Sequence, residues 1–496
     1  MKLPVTSALA LTISLGLSAA AHAAPDDATV EHLLGRAGYG HNNWSRQRVA
    51  DLNWNGYVNE QLEPTTINDN LMAQAYYQDP RFEAWHMSPA EIAATWSNRK
   101  DVNKRSVGEL IRMARAEFFL RGVISRRQLE ALMTEFWFNH FNVQLTGERA
   151  RRLIPYIRAI RKHAFGKFQD LLMVVAKSPA MMGYLDNEDN FRDGYKIGNR
   201  SYGINENYAR ELLELHTLGA TDDSSFYTQQ DIIEAARCLT GWNVNEEQLK
   251  FRFDLAGHDK GAKTVMTLKV AADGGLADGE QLIRYLANHG RTATYITAKL
   301  VRFFAGPGQN ALHSSTRQKW LDTKGNIKAV LRHILLSQEI RATVDKKVKR
   351  PTLWVISALR AAQADMGSGD ARFDLLQKLY GHAYHLGQPL YNVAPPTGWD
   401  DANTAFLNPG TLLNSYDRFI SLFVNNPVRL PWNPRGADEA KTISGIETRV
   451  FRGAPLSQET RAALTGYYGE LKNLASGKGA DFALALTFST PEFIRY

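Results

Sequence analysis

The stretch Asn205–Gly219, Asn-Glu-Asn-Tyr-Ala-Arg-Glu-Leu-Leu-Glu-Leu-His-Thr-Leu-Gly, reads as one helix. Asn205 suits an N-cap, Glu206 puts negative charge in the first turn, and Gly219 sits where a left-handed C-cap belongs. At ~100° per residue, Tyr208, Leu212 and Leu215 fall on one face with His216 among them. The opposite sector holds Glu206, Asn207, Arg210, Glu211 and Glu214. Asn207, Glu211 and Glu214 are spaced i, i+4, i+7 and project together. Such a sector is either a solvated face or a carboxylate cluster for acid/base work, metal ligation or sugar recognition. Helical periodicity of this kind covers most of the chain. It predicts a mainly α fold: one large multi-helix body with a small β-hairpin insertion near residues 249–270.

Upstream, Asp186-Asn187-Glu188-Asp189-Asn190-Phe191-Arg192-Asp193-Gly194 runs on to Gly203 without an apolar period. Long structureless loops are uncommon inside compact domains and are often functional. This one delivers the chain into the acidic helix. A second loop, Leu255–Lys263, lies between the strand-like runs Leu249–Asp254 and Thr264–Val270 and carries His258 and Asp259. A His-Asp pair on a loop is a candidate for acid/base or metal chemistry, and equally a plain loop.

Other segments fill in the helical pattern. A charged amphipathic helix is expected over 101–121. Ser125 and Gln128 have the spacing of a capping box, opening a helix through Leu129, Phe136 and Trp137 to His140. Its polar edge holds Glu135 and Asn139 beside His140, which is either a hydrogen-bonded core residue or a ligand. Residues 149–163 are basic. Thr228 and Asp231 form another capping-box pair, and Asn408-Pro409 places Pro at a first helical position. Between them, Pro395-Pro396-Thr397-Gly398-Trp399-Asp400 cannot be helix interior.

Composition is ordinary for a globular protein: 496 residues, 44% hydrophobic and 22% charged, with net charge +8. Lys2, the apolar run Ala8–Leu17 and Ala21-His22-Ala23 have the layout of a signal peptide over residues 1–23, leaving 24–496 as a single domain in the periplasm or secreted. No later run is apolar and long enough to span a bilayer. The single cysteine, Cys238, sits in a helical pattern and reads as a small buried hydrophobe. Export argues against a nucleic-acid partner, while the positive charge is compatible with an anionic polymer.

Several of these stretches together resemble the bacterial family called domain of unknown function 1800. The resemblance rests on Leu33–Gly40, Glu135–Val143, Tyr184–Asn187, Asn205–Gly219, Tyr227–Trp242, His258–Thr264, Lys346–Leu359 and Leu386–Leu413, in order along nearly the whole mature chain. It implies an exported, mostly helical protein without an established activity. It also implies envelope or polysaccharide work, beside an exported sulfatase-like partner protein. One departure stands out. The family pattern has Trp-His-Asn-His-Phe where this chain reads Trp137-Phe138-Asn139-His140-Phe141.

Nucleophile-elbow, zincin, phosphate-loop and C-x-x-C patterns are absent from the sequence. Three readings remain. The first is a hydrolase acting on an envelope or extracellular polysaccharide. Its carboxylates, Asp186, Glu206, Glu211 and Glu214, would converge with His258 and Asp259, since glycoside cleavage needs two carboxyl groups roughly 5–10 Å apart. Asn207, Arg210, His140 and Trp399 would contact the sugar. The second is a metal-dependent enzyme with a divalent cation on Asp186, Glu211, Glu214, His140 and His258. The third is a non-catalytic envelope or matrix assembly factor.

Overall fold

The computed structural model describes residues 27–97, 103–220, 226–343, 347–425, 428–452, 456–474 and 478–496. The segment assigned to the signal peptide lies outside them. The architecture is mainly α, with only small two-stranded sheets among the described residues. No helix of the described residues is long and apolar enough to cross a membrane.

Three helices form the centre: Val107–Ile124, Gln128–His140 and Pro351–Ala362. Pro351–Ala362 opens with Pro at its first position and is buried all round, as a helix without a polar face must be. Arg360 sits inside it and donates to the carbonyls of Gly40 and Val123 at 3.0 and 2.8 Å. Burial pushes its guanidinium down to about 10. Around these helices one contiguous apolar cluster runs from Val30 to Tyr496. Cys238 belongs to it, and burial pushes its thiol up to about 12.

Buried ion pairs cross this core. Glu117 accepts from Arg121 at 2.7 Å and Arg161 at 3.0 Å. Glu135 accepts from Arg350 through both oxygens, at 3.1 and 2.6 Å. Thr352 Oγ1 at 2.8 Å and the Tyr39 hydroxyl at 2.7 Å also donate to it. Burial opposes ionisation of Glu135, but Arg350 outweighs it and holds the carboxyl below its usual range.

The structure corrects several local readings. Residues 249–270 do not form one long-looped hairpin. Lys250–Phe253 turns back onto Trp242–Asn245, and Lys263–Val265 pairs with Leu268–Val270. Leu249 and Met266 adopt left-handed backbone at the two turns, with φ of 46° and 54°. Two short closures cost less chain entropy than one long one. The loop expected to lack structure holds a third hairpin, Tyr195–Ile197 with Arg200–Tyr202. The charged helix expected over 101–121 occupies Val107–Ile124 and is largely buried.

The Ser125 capping box does not form. Ser125 Oγ donates to Asp69 instead, and Gln128 donates to the Gly122 and Ser125 carbonyls. The Thr228/Asp231 box and the Asn408 cap do form.

Candidate functional site

The Asn205–Gly219 helix is not α throughout. Asn205 Oδ1 accepts from the Asn207 amide, and α geometry covers Asn207–Glu211. A π segment follows over Leu212–Thr217. There the Leu218 amide reaches the Leu213 carbonyl, five residues back, at 2.8 Å. The wider turn carries His216 into the core beside His140 and Phe141, while Leu215 remains at a pocket wall. Such π segments are frequent at functional sites.

The acidic sector stays together. The Asn205 and Asn207 side chains donate to the carbonyls of Asp186 and Leu185, so the loop is tied to the helix start. Asp186 has left-handed backbone, φ 58°, and lies 3.8 Å from Arg149. Arg210 lies 2.9 Å from Glu206 and 3.7 Å from Glu214. Glu211 is half-buried, and burial, with the Glu214 charge, raises its carboxyl above the usual range.

His258 and Asp259 do not join this group. His258 is wholly buried, with Nδ1 on the Thr240 carbonyl at 2.8 Å and Nε2 on Asp278 at 3.1 Å. Lys263 Nζ donates to the same Asp278 oxygen at 2.6 Å. Asp259 takes a two-pronged bond from Arg237 at 2.9 and 3.0 Å. Every one of these bonds stays within residues 237–278. The expected convergence of the His258–Asp259 pair on the acidic helix is therefore not seen. Apolar packing drew the loop inward, and the polar groups paired locally to be buried at all.

His140 and Trp399 do meet, in a pocket of about 490 Å³ that Leu215 also lines. Helix Gln128–His140, helix Gly290–Ala305 and the 397–401 loop wall it. Asn139 pins the loop: its Oδ1 accepts from the Trp399 amide at 2.9 Å and its Nδ2 donates to the Trp399 carbonyl at 3.1 Å. Gly398 makes this approach possible. Its φ is +70°, and a Cβ there would stand 2.3 Å from Asn139 Oδ1. Gly398→Ala is expected to unseat Trp399, read as a loss of its tryptophan fluorescence signature and of any ligand-induced change in it, with the global melting temperature falling by only a few degrees.

Tyr295, Lys299 and Arg302 also line the pocket. Lys299 Nζ lies 3.1 Å from His140 Nδ1, and His140 Nε2 lies 3.2 Å from the His216 carbonyl. A carbonyl only accepts and an ammonium only donates, so the His140 proton sits on Nε2 and Nδ1 is the acceptor. Burial, with the Lys299 charge and His216, holds His140 well below its ordinary value, so it is neutral.

Burial, with Arg302 beside it, pushes Lys299 down to about 8, against the pull of Asp401. No carboxylate of the described residues pairs with Lys299, because those around the pocket are engaged elsewhere. Glu135 is held by Arg350, Asp401 by Lys347 at 2.7 Å, and Asp400 by Arg302 at 3.2 Å. Among the described residues, no group of three or more His, Cys, Asp or Glu is arranged to hold a metal ion.

Tyr295, Lys299 and Arg302 follow i, i+4, i+7 spacing on a single helix. That stripe was visible in the sequence, but a Tyr-Lys-Arg face has the composition of any solvated helix. Only the pocket it shares with His140 and Trp399 makes it a site.

A family model described as "Protein of unknown function (DUF1800)" matches residues 32–495. The chain belongs to the DUF1800 family. No curated protein and no solved structure matches it. In this DUF1800 chain, Phe138 packs on Tyr156 and Tyr391 at ring-centroid distances of 5.8 and 4.6 Å. It does not line the pocket, so the departure from the Trp-His-Asn-His-Phe pattern leaves the Lys299–His140 pair intact.

Buried neutral histidines are expected to weaken the fold in acid. Burial pushes His32 and His382 down to about 4 and His41 and His216 to about 3. With native values below the unfolded one, the unfolded chain binds protons first on acidification. The contribution of these histidines should be full above pH ~6.5 and be lost as pH falls toward 4, at up to ~1.4 kcal/mol per unit for each histidine. Urea midpoints should fall steeply across that interval; a flat profile would contradict neutral burial.

Proposed function

We propose that this DUF1800 protein is an exported enzyme acting on an envelope or extracellular polysaccharide, with the Lys299–His140 pocket as its reacting site. One observation carries the reading. Lys299 lines a pocket of ligand size with no carboxylate partner among the described residues, hydrogen-bonded to a neutral imidazole, and Trp399 lines the same pocket. A perturbed lysine in a concave site is a recurrent mark of function. Trp399 and Tyr295 offer ring faces for sugar stacking, and the uncompensated charge invites an anionic or strongly polar group.

The sequence pointed to the acidic helix as the seat of chemistry. In this reading Asp186, Glu206, Glu211 and Glu214 flank the reacting site, Leu215 being one turn beyond Glu211. Export rests on the leader-like residues 1–23; envelope protein beginning at Ala24 supports it, and cytoplasmic protein beginning at Met1 sinks it.

The test of the pocket is Lys299→Met. It removes a buried charge, so its melting temperature should hold or rise. Retardation in gels cast with polygalacturonate, alginate or hyaluronan should weaken at least tenfold. A variant retarded like the parent would end the pocket reading.

Glu211→Gln tests the flanking assignment. A carboxyl raised in the folded state costs stability when ionised, and the cost disappears below the unfolded value. The variant should equal or slightly exceed the parent in melting temperature at pH 7, with no difference near pH 4, and should still be retarded by the polymers. Loss of several degrees at pH 7 would instead make Glu211 a structural partner.

A further inference from the structure

We propose that the pocket performs β-elimination on a uronic-acid polymer, with Lys299 as the base. The proposal rests on the polysaccharide reading above and names its substrate class and bond chemistry. Glycoside hydrolysis through a carboxyl pair fits this pocket poorly. It needs a protonated acid and a free carboxylate, and Glu135 and Asp401 are both tied to buried cations. What the pocket does present is an amine, a phenol and a guanidinium in one stripe, Tyr295, Lys299 and Arg302, facing Trp399.

Each has a place in the elimination. A uronate C5–H becomes acidic enough to remove once the charge of the neighbouring carboxylate is neutralised. Arg302 can do this. Its present partner, Asp400, is at 3.2 Å, and the two side chains are 50% and 61% exposed. A pair of that kind is weak and a substrate carboxylate can replace it. Lys299, as the neutral amine, donates one N–H to His140 Nδ1, which directs its lone pair away from the imidazole and leaves it free to face a substrate in the pocket that Lys299 lines. His140 is then a positioning residue, its tautomer held by the His216 carbonyl.

Tyr295 is half-buried, and burial raises its hydroxyl above the ordinary value, so it is a neutral proton donor. In the step, Lys299 takes the C5 proton. The C5–H pair becomes the C4=C5 double bond, and the C4–O4 bond breaks with its pair on O4. O4 takes the Tyr295 proton, and the Lys299 ammonium returns a proton to Tyr295 through solvent. No water is consumed and no oxidant is needed.

The rate should rise with pH as Lys299 loses its proton, near 8. The groups facing Lys299 are His140 and Glu135 from one helix, His216 from the π segment, Tyr295 and Arg302 from its own helix, and Asp400 and Asp401 from the loop. Of these, Arg302 lowers it and Asp401 raises it.

The experiment incubates the full mature chain with polygalacturonate, alginate and hyaluronan. It follows the ultraviolet absorbance of the conjugated double bond alongside new reducing ends. Elimination yields both signals from at least one polymer, and hydrolysis yields reducing ends alone. Lys299→Arg should keep gel retardation by that polymer within about threefold while losing turnover ~100-fold or more. Tyr295→Phe should lose turnover with binding kept. His140→Asn should shift the ascending limb of the pH profile that Lys299 sets, which a merely structural role would leave in place. Reducing ends without the double bond overturn the elimination and leave the polysaccharide reading standing. Neither signal from any polymer, with no retardation of the parent protein, overturns both.

Discussion

Arg350→Met is expected to lower the unfolding free energy by about 3–5 kcal/mol, because it strands Glu135 inside the core. Glu135 and Arg350 have side chains 1% and 3% exposed, so water cannot replace the lost partner. The remaining donors, Tyr39, Thr352 and Gln388, are neutral and cannot balance a full charge. Burial alone would then act on Glu135 and raise its carboxyl above the unfolded value. A raised carboxyl costs stability as pH climbs through the native value, so the deficit should be larger at pH 8 than at pH 5. Paired urea titrations at the two values check this. The double change Glu135→Gln with Arg350→Met should recover much of the loss. A single-variant cost below about 1 kcal/mol would mean that solvent reaches the pair.

Asp278→Ala is expected to cost a similar ~3–5 kcal/mol, since it leaves Lys263 and His258 buried without their shared carboxylate. The side chains of His258, Asp278 and Lys263 are all fully enclosed. Lys263 would keep only the Asp259 carbonyl and the more distant Asp259 carboxylate at 4.0 Å. The stability loss should come without loss of polymer retardation in whatever fraction stays folded. That combination separates a structural His258 from the acid/base residue its sequence position suggested. An Asp278→Ala protein of parental stability that no longer bound polymer would restore His258 to the site.

The two changes bear on the same question, which is why some polar residues in this chain are chemistry and others are scaffold. The sequence marks both kinds alike. Glu135, Asp259 and Glu211 are each an acid near a cation or another acid, yet one is a core tie, one a local clamp on Arg237 and one a raised carboxyl with no ion pair among the described residues. Pairing at a distance decides which. Arg350 is far along the chain from Glu135, and no local spacing foretells their contact. The local signals that held were those whose physics is local: the Thr228/Asp231 capping box, the Asn408-Pro409 helix start and the buried cysteine. The Ser125 box failed because Asp69, from another part of the chain, offered its hydroxyl a better partner.

What the sequence by itself determined is the mainly α class, from helical periodicity that each segment carries within a dozen residues, and the membership of His140 and Trp399 in a polar, aromatic part of the chain. Only the tertiary structure decided that these two face Tyr295, Lys299 and Arg302 across a pocket, and that His258 does not. Periodicity is a property of neighbouring residues. A site is made by helices remote in sequence packing their stripes together, and by burial deciding which charges keep an opposite charge and which, like Lys299, have among the described residues only a neutral imidazole.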